Sequence, residues 1–294
     1  MRILITGSNG LLGQKIVRQL LKRKINFLAT SQGENRNPNC PVAFFSSLDI
    51  TKKNEIENCV KSFQPTAILN TAAMTNVDVC EEKETQCRTI NVDAVKFLHE
   101  ICTTQNIHLI HLSTDFVFDG LNGSYKETDE RNPLSIYAKS KADSEDIFTK
   151  SNYDNWAILR TIIVFGQGEN LSRTNIVLWA KNTLQKEQEL KIVDDQFRAP
   201  TWADDLAWAC IESAIINAKG IYHISGPETF SIFEMVKRIA KFYGANESLV
   251  VAVSSSTLNQ KAKRPLRTGF ILDKARKELG YNPMSFEDSL GRIN

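Results

Sequence analysis

Apolar positions along the chain fall into short unbroken runs separated by longer amphipathic stretches. Residues 3–6, 27–30, 43–45, 67–70, 109–113 and 157–160 are runs of the first kind. Continuous apolar runs of that length predict strands covered on both faces, as in a parallel sheet. Between them, helical periodicity predicts helices over 11–22, from an N-cap at Thr51 to residue 63, over 77–104 as a short and a long piece, and over 135–150. Strand and helix in repetition imply right-handed crossovers, so the expected fold is α/β with a doubly wound parallel sheet.

The pattern loosens in the second half. Helices are expected over 175–186, 202–216, 232–243 (with Ser231 as N-cap) and 273–279, and strands over 192–193, 221–224 and 249–253. The β→α alternation decays after Arg160. The expected division is therefore a dinucleotide-binding domain over residues 1–165, with returns near 190–225, and a smaller α/β substrate domain over 166–294.

Composition changes this picture little. Of 294 residues, 42% are apolar and 24% charged, the proportions of an ordinary globular protein. Lys plus Arg exceed Asp plus Glu by 36 − 34 = 2, which gives no electrostatic reason to expect nucleic acid or an anionic membrane as partner. No apolar run approaches the roughly 20 residues of a membrane-spanning helix, and residues 1–7 lack the pattern of a secretory signal. The six cysteines form no C-x-x-C pair, so reduced thiols in a cytoplasmic protein are expected rather than disulfides or zinc. A homodimer is expected only because it is the commonest assembly.

Chemistry enters at the first strand–helix junction. Gly7-Ser8-Asn9-Gly10-Leu11-Leu12-Gly13 has the spacing G-x-x-G-x-x-G. Gly7 permits a tight turn off the strand, Gly10 clears a path for a pyrophosphate, and Gly13 lets the helix pack closely. Free N–H groups and the helix dipole then face the anion. The second strand ends Ala29-Thr30-Ser31-Gln32, without the acid that would hydrogen-bond an NAD ribose. Ser31 and Arg36 can contact a 2′-phosphate instead. NADP(H) is therefore the preferred cofactor, with NAD(H) the lesser one.

A second constellation follows. Tyr137 and Lys141 form Y-x-x-x-K at the start of a helix, where i and i+4 share a face. An ammonium beside a phenol favours the phenolate, so a lowered Tyr137 pKa is expected. Ser113-Thr114-Asp115 closes the fifth predicted strand, and carboxyl ends of strands are where doubly wound sheets bind ligands. Thr114 can therefore meet Tyr137 at a substrate oxygen.

Together with Leu48-Asp49-Ile50 and Asn70-Thr71-Ala72-Ala73, these motifs resemble the extended short-chain dehydrogenase/reductase superfamily. Within it, Ser113 to Gly120 and Asp195-Gln196-Phe197-Arg198-Ala199-Pro200-Thr201 resemble the dTDP-4-dehydrorhamnose reductase family of dTDP-rhamnose biosynthesis. The resemblance implies a Rossmann-type cofactor domain and hydride transfer to the C4 ketone of a nucleotide-linked 4-keto-6-deoxy sugar. By it, Tyr137 donates the proton, Thr114 hydrogen-bonds the same oxygen, and Lys141 holds the cofactor ribose. It places Asp49 and Ile50 at the adenine, Asn70, Ala72, Ala73 and Ser113 along the cofactor groove, and Asn91 on the helix behind it. Val77, Asp115, Phe116, Ile163 and Arg198 would contact substrate.

The chain departs from the family in four places. Phe116 replaces a usual Tyr, Ile163 a frequent Trp, and Arg198 a usual Gly. Gln14-Lys15 stand where some members carry an acid for a magnesium shared between subunits, so no metal is predicted. The alternatives are another extended-family epimerase or reductase, and a regulatory subunit like that of methionine adenosyltransferase, binding NADP without turnover. Among weaker signals, Lys261, Lys263, Arg264 and Arg267 could grip a substrate diphosphate. Glu81, Glu82 and Glu84 read as a solvated face, Trp202 and Trp208 as packing within one helix, and the four histidines as packing residues.

Overall fold

In the computed structural model, which describes residues 1–258 and 260–293, seven strands form one parallel sheet. They are β1 (Arg2–Thr6), β2 (Asn26–Ser31), β3 (Phe45–Ser47), β4 (Ala67–Asn70), β5 (His108–Thr114), β6 (Trp156–Thr161) and β7 (Gly220–Ile224). Their order is β7-β6-β5-β4-β1-β2-β3. Strand succession reverses between β1 and β4, and the carboxyl ends of those two strands are the switch point where such sheets open a crevice.

The α-helices are α1 (Leu11–Arg23), α2 (Lys53–Phe63), α3 (Val77–Glu82), α4 (Glu84–Arg88), α5 (Ala94–Gln105), α6 (Ile136–Thr149), α7 (Ile176–Leu184), α8 (Ala203–Ile215), α9 (Ile232–Phe242), α10 (Asp273–Leu279) and α11 (Phe286–Leu290), and short two-stranded pairs lie outside the main sheet. Successive strand residues point to opposite faces, and both faces are covered. Ile3 and Ile5 lie under Val17 of α1 and Leu206 of α8. Leu4 lies under Ile56 of α2 and Leu98 of α5. This two-sided burial is why the strands read as unbroken apolar runs. A separate core joins Val177 of α7, Met235 and Ile239 of α9, and Leu290 of α11, with Phe165, Ile192 and Trp202.

The chain returns to the first layer after residue 166. Helix α8 packs along α1, β7 pairs with β6, and Leu272 and Ala275 at α10 join the same core. Residues Leu190–Val193 instead pair with Val250–Val253 in the second layer.

Several local expectations change. Residues 43–45 begin as a 3₁₀ turn over Val42–Phe44, and β3 starts at Phe45. Thr51 does not cap α2, because its hydroxyl donates to Asp49 Oδ1 (2.7 Å) and the cap is Lys52. Ser231 does cap α9, accepting from Glu234 N–H at 3.0 Å. Trp202 belongs to the strand Thr201–Trp202, which pairs with Val164–Phe165, and its ring packs on Phe165. The helical stretch over 77–104 is broken into α3, α4, a π-helical turn over Thr89–Asp93, and α5. Gly123–Tyr125 pairs with Thr268–Phe270, a contact too short to leave a periodic signal. Among the described residues no helix is long and apolar enough to cross a membrane.

Candidate active site

The turn after β1 is built by glycine. Gly7 has φ +72°, and a Cβ there would lie 2.7 Å from Ala72 N, in the loop after β4. A Cβ on Gly13 would lie 2.5 Å from Gly7 O and from Ser8 Cα. Gly13 therefore lets α1 approach its own leading turn, a closer contact than the helix–sheet packing expected. The first bond of α1 runs from Gln14 N–H to Gly10 C=O at 2.9 Å. The N–H groups of Leu11, Leu12 and Gly13 precede it, at a helix end without an acidic side chain in its first turn. Such an end attracts an anion.

From this turn a groove runs both ways across the strand ends. One arm, about 490 Å³, is lined by Asn9, Ser31, Arg36, Asp49, Ile50, Ala72 and Ala73. Asn9 fixes its rim by donating to Glu34 C=O (2.8 Å) and accepting from Arg36 N–H (2.9 Å). The other arm, about 740 Å³, is lined by Val77, Ser113, Thr114, Asp115, Phe116, Tyr137, Lys141 and Ile163. Gly7, Asn9 and Gly10 border both arms.

Helix α6 delivers Tyr137 and Lys141 one turn apart. Ser135 caps it, accepting from Ala138 N–H at 3.2 Å. The carboxylate of Glu81 accepts from Ile136 N–H at 2.8 Å, so one of the acids expected to form a solvated face tethers α6. Burial raises the Tyr137 pKa, with the neighbouring Thr114 hydroxyl opposing. The expected lowering by Lys141 is not what this environment produces. The lysine is itself buried, which lowers its pKa to about 8, and its Nζ lies 3.2 Å from His111 Nε2. Both partners are desolvated, and desolvation favours the neutral form of each.

Arg198 and Asn70 lie elsewhere than expected, whereas Asn91 and Asp115 lie where expected but are engaged by the fold. Arg198 is buried behind Phe116, with its guanidinium 5.4 Å from that ring. It donates to the carbonyls of Phe197 (2.7 Å), Pro265 (2.6 Å) and Leu266 (3.2 Å) and pairs with Asp115 at 3.6 Å. With its donors spent on the fold, it is no phosphate ligand. Asn70 sits beneath the groove, accepting from Thr6 Oγ1 (2.6 Å) and reaching His111 Nδ1 (3.1 Å). Asn91 lies behind the groove, clamping Met74 through its N–H (2.8 Å) and C=O (2.9 Å). Asp115 borders the groove, but Thr114 (3.0 Å), Thr268 and Arg198 engage its carboxylate. Phe116 stands edge-on to Tyr137 at 6.1 Å between ring centres. Ile163 holds φ +34°, an uncommon conformation for a β-branched residue and a mark of functional sites.

Sequence reasoning missed Arg173. It lies in the irregular segment 166–175, lines the Tyr137 arm, and donates to Thr75 Oγ1. No spacing signals it, because its place depends on how that segment folds back over the glycine turn. From the basic stretch, Arg264 also borders this arm and pairs with Asp78 at 2.6 Å. Lys261 pairs with Glu82, and Arg267 covers the Phe197 ring.

A parallel Rossmann-type sheet with a glycine turn, and Thr, Tyr and Lys on one groove, defines the short-chain dehydrogenase/reductase class. The chain belongs to the family described as "RmlD substrate binding domain", whose model matches residues 1–294. It is 33% identical over 305 residues to the dTDP-4-dehydrorhamnose reductase of Aggregatibacter actinomycetemcomitans, covering 99% of this chain and 98% of that one. It is 29% identical over 269 residues to methionine adenosyltransferase 2 subunit beta of Danio rerio, covering 90% of this chain and 80% of the relative. The solved dTDP-4-dehydrorhamnose reductase of Bacillus anthracis in complex with NADP superposes with a TM-score of 0.85 at 26% identity, covering 99% of this chain and 98% of that one.

Proposed function

We propose that this protein reduces the C4 ketone of a dTDP-linked 4-keto-6-deoxy sugar with NADPH, as a dTDP-4-dehydrorhamnose reductase. The observation that carries the reading is that Thr114, Tyr137 and Lys141 line an arm of the groove that begins at the glycine turn. The residues fit a dinucleotide. Gly7 holds a backbone conformation and a close approach that a side chain would block, and the N–H groups of Leu11, Leu12 and Gly13 face a site for phosphate. Ser31 and Arg36 border the far arm, where they suit the 2′-phosphate of NADP(H) better than the diol of NAD(H). A dinucleotide held along these two arms would supply the hydride from its reduced nicotinamide.

The chain's own residues do the rest. A raised pKa keeps the Tyr137 phenol protonated near neutrality, the state from which it gives its proton to the C4 oxygen as charge develops there. The Thr114 hydroxyl orients the same oxygen. Lys141 holds the ribose and, as the ammonium, balances the phenolate left behind. Arg173 borders this arm and grips the substrate diphosphate, beside Arg264, whose guanidinium is engaged by Asp78, while Val77, Phe116 and Ile163 present an apolar wall to the deoxy sugar.

The test is NADPH oxidation with dTDP-4-dehydro-L-rhamnose, beside Tyr137→Phe. Turnover that falls by about 10²–10⁴ in the variant supports the reading. NADPH binding without turnover on any 4-keto sugar nucleotide overturns it in favour of a regulatory subunit. Turnover confined to a different sugar nucleotide favours another extended-family reductase or epimerase.

A further inference from the structure

We propose that His111 is the positioning residue of Lys141, holding Nζ through Nε2 in both protonation states of the lysine. The inference deepens the reading above, since it concerns the lysine of that site. His111 lies in mid-strand on β5, paired across the ladder with Asn70 of β4, and is 1% exposed. Its Nε2 is 3.2 Å from Lys141 Nζ and 3.1 Å from Ser144 Oγ. Its Nδ1 is 3.1 Å from the Asn70 amide nitrogen, and Asn70 is braced by Thr6. One ring face stacks on Phe148 at 5.4 Å. Both nitrogens and a face are therefore engaged, and the ring is fixed.

Burial and the nearby lysine keep the imidazole neutral, so it carries a single N–H that can sit on either nitrogen. With the proton on Nε2, the ring donates to a neutral Lys141 amine, shared with Ser144 Oγ, whose own hydrogen goes to Lys141 C=O (2.7 Å). With the proton on Nδ1, Nε2 accepts from the ammonium. The Asn70 amide serves both arrangements, because turned over it offers C=O to Nδ1 and NH₂ to Thr6 Oγ1, whose hydroxyl then accepts instead of donating. Between the two states the protein takes up one proton, at Nζ. The ring keeps its own, moved from Nε2 to Nδ1.

Other groups face the lysine without replacing this partner. Cys87 of α4 and Glu145 of α6 act on it electrostatically. The Glu145 carboxylate is itself bound by Arg160 of β6 (2.7 Å) and by Arg131 (3.1 Å). Fixing a long lysine side chain costs rotamer freedom. A rigid partner meets that cost before any ligand arrives.

The test begins on the ligand-free protein, so it stands or falls apart from the catalytic reading. Imidazole ¹⁵N shifts of His111 are followed from pH 6 to 10 in the parent and in Lys141→Met. The expected result is a change of tautomer in the parent that tracks the Lys141 titration and is absent from Lys141→Met. A single tautomer throughout the parent range overturns the proposal. In an active enzyme, His111→Phe is then expected to move the pH profile of kcat by about one pH unit with the sugar KM unchanged, whereas His111→Gln keeps the parent profile. A His111→Phe profile of parent shape at lower amplitude also overturns it. If His111→Phe does not fold, the parent spectra decide.

Discussion

Gln14 joins two segments 155 residues apart. Its Oε1 accepts from Glu169 N–H at 2.8 Å, and its Nε2 donates to Glu169 C=O at 2.7 Å and to Asn9 C=O at 3.1 Å. This amide pins the segment 166–175 onto the glycine turn, and Asn170 adds a bond to Arg36 C=O at 3.1 Å. Gln14→Ala is expected to free that segment and raise the Kd for NADPH by up to about thirtyfold, the two bonds to Glu169 being worth about 1 kcal/mol each. Isothermal titration measures the affinity, and faster amide exchange over 166–175 identifies the cause. Unchanged exchange would show that Gln14 does not hold the segment.

Arg36 provides the test of cofactor choice. It borders the arm that also carries Ser31 and Asp49. Arg36→Ala is expected to weaken NADPH by about tenfold or more, the scale of a charge-assisted phosphate contact, and to leave NADH unchanged. Equal losses for both cofactors would assign Arg36 to the loop rather than to the phosphate.

The buried pair of Arg198 and Asp115 predicts a stability effect. Arg198→Leu strands the Asp115 carboxylate and the carbonyls of Pro265 and Phe197 in a dry site. A loss of about 3–5 kcal/mol in denaturant unfolding is expected, as for other broken buried pairs. A loss in sugar affinity at intact stability would instead return Arg198 to the substrate.

Asp205 predicts a pH dependence. Burial and the adjacent Asp204 raise its pKa from 3.8 to about 6, opposed by an N–H donated from Met284. The folded state thus holds this proton more tightly than the unfolded chain does. Its contribution is fully present below about pH 4 and is lost as pH rises through about 6. Asp205→Asn keeps an acceptor for Met284 and is expected to stabilise the protein at pH 7 by about 1–2 kcal/mol, after allowance for solvent screening of a partly exposed group. The gain should vanish at pH 4, and a gain equal at both values would exclude titration as its origin.

Much of the site was legible because its chemistry is local. The glycine spacing of residues 7–13, and Tyr137 with Lys141 one helical turn apart, are fixed by short-range geometry. The places of Arg173 and His111 at the groove were not legible. Arg173 reaches the groove from an irregular segment, and His111 acquires its partners across β4 and α6. Arg198 was misplaced for the same reason, since nothing near it in sequence reveals the carbonyls of Pro265 and Leu266 that occupy its guanidinium.

The sequence by itself determined the parallel sheet, the glycine turn and the Thr114, Tyr137 and Lys141 set, because periodicity and i,i+4 spacing act over a few residues. Tertiary structure alone decided the environments. It buried Tyr137 and Lys141 together, so that desolvation rather than their mutual attraction sets their protonation. It also brought residues 166–175 over the turn and seated α8 and β7 on the first layer. Those outcomes depend on which distant segments exclude water from one another, and no local pattern encodes that.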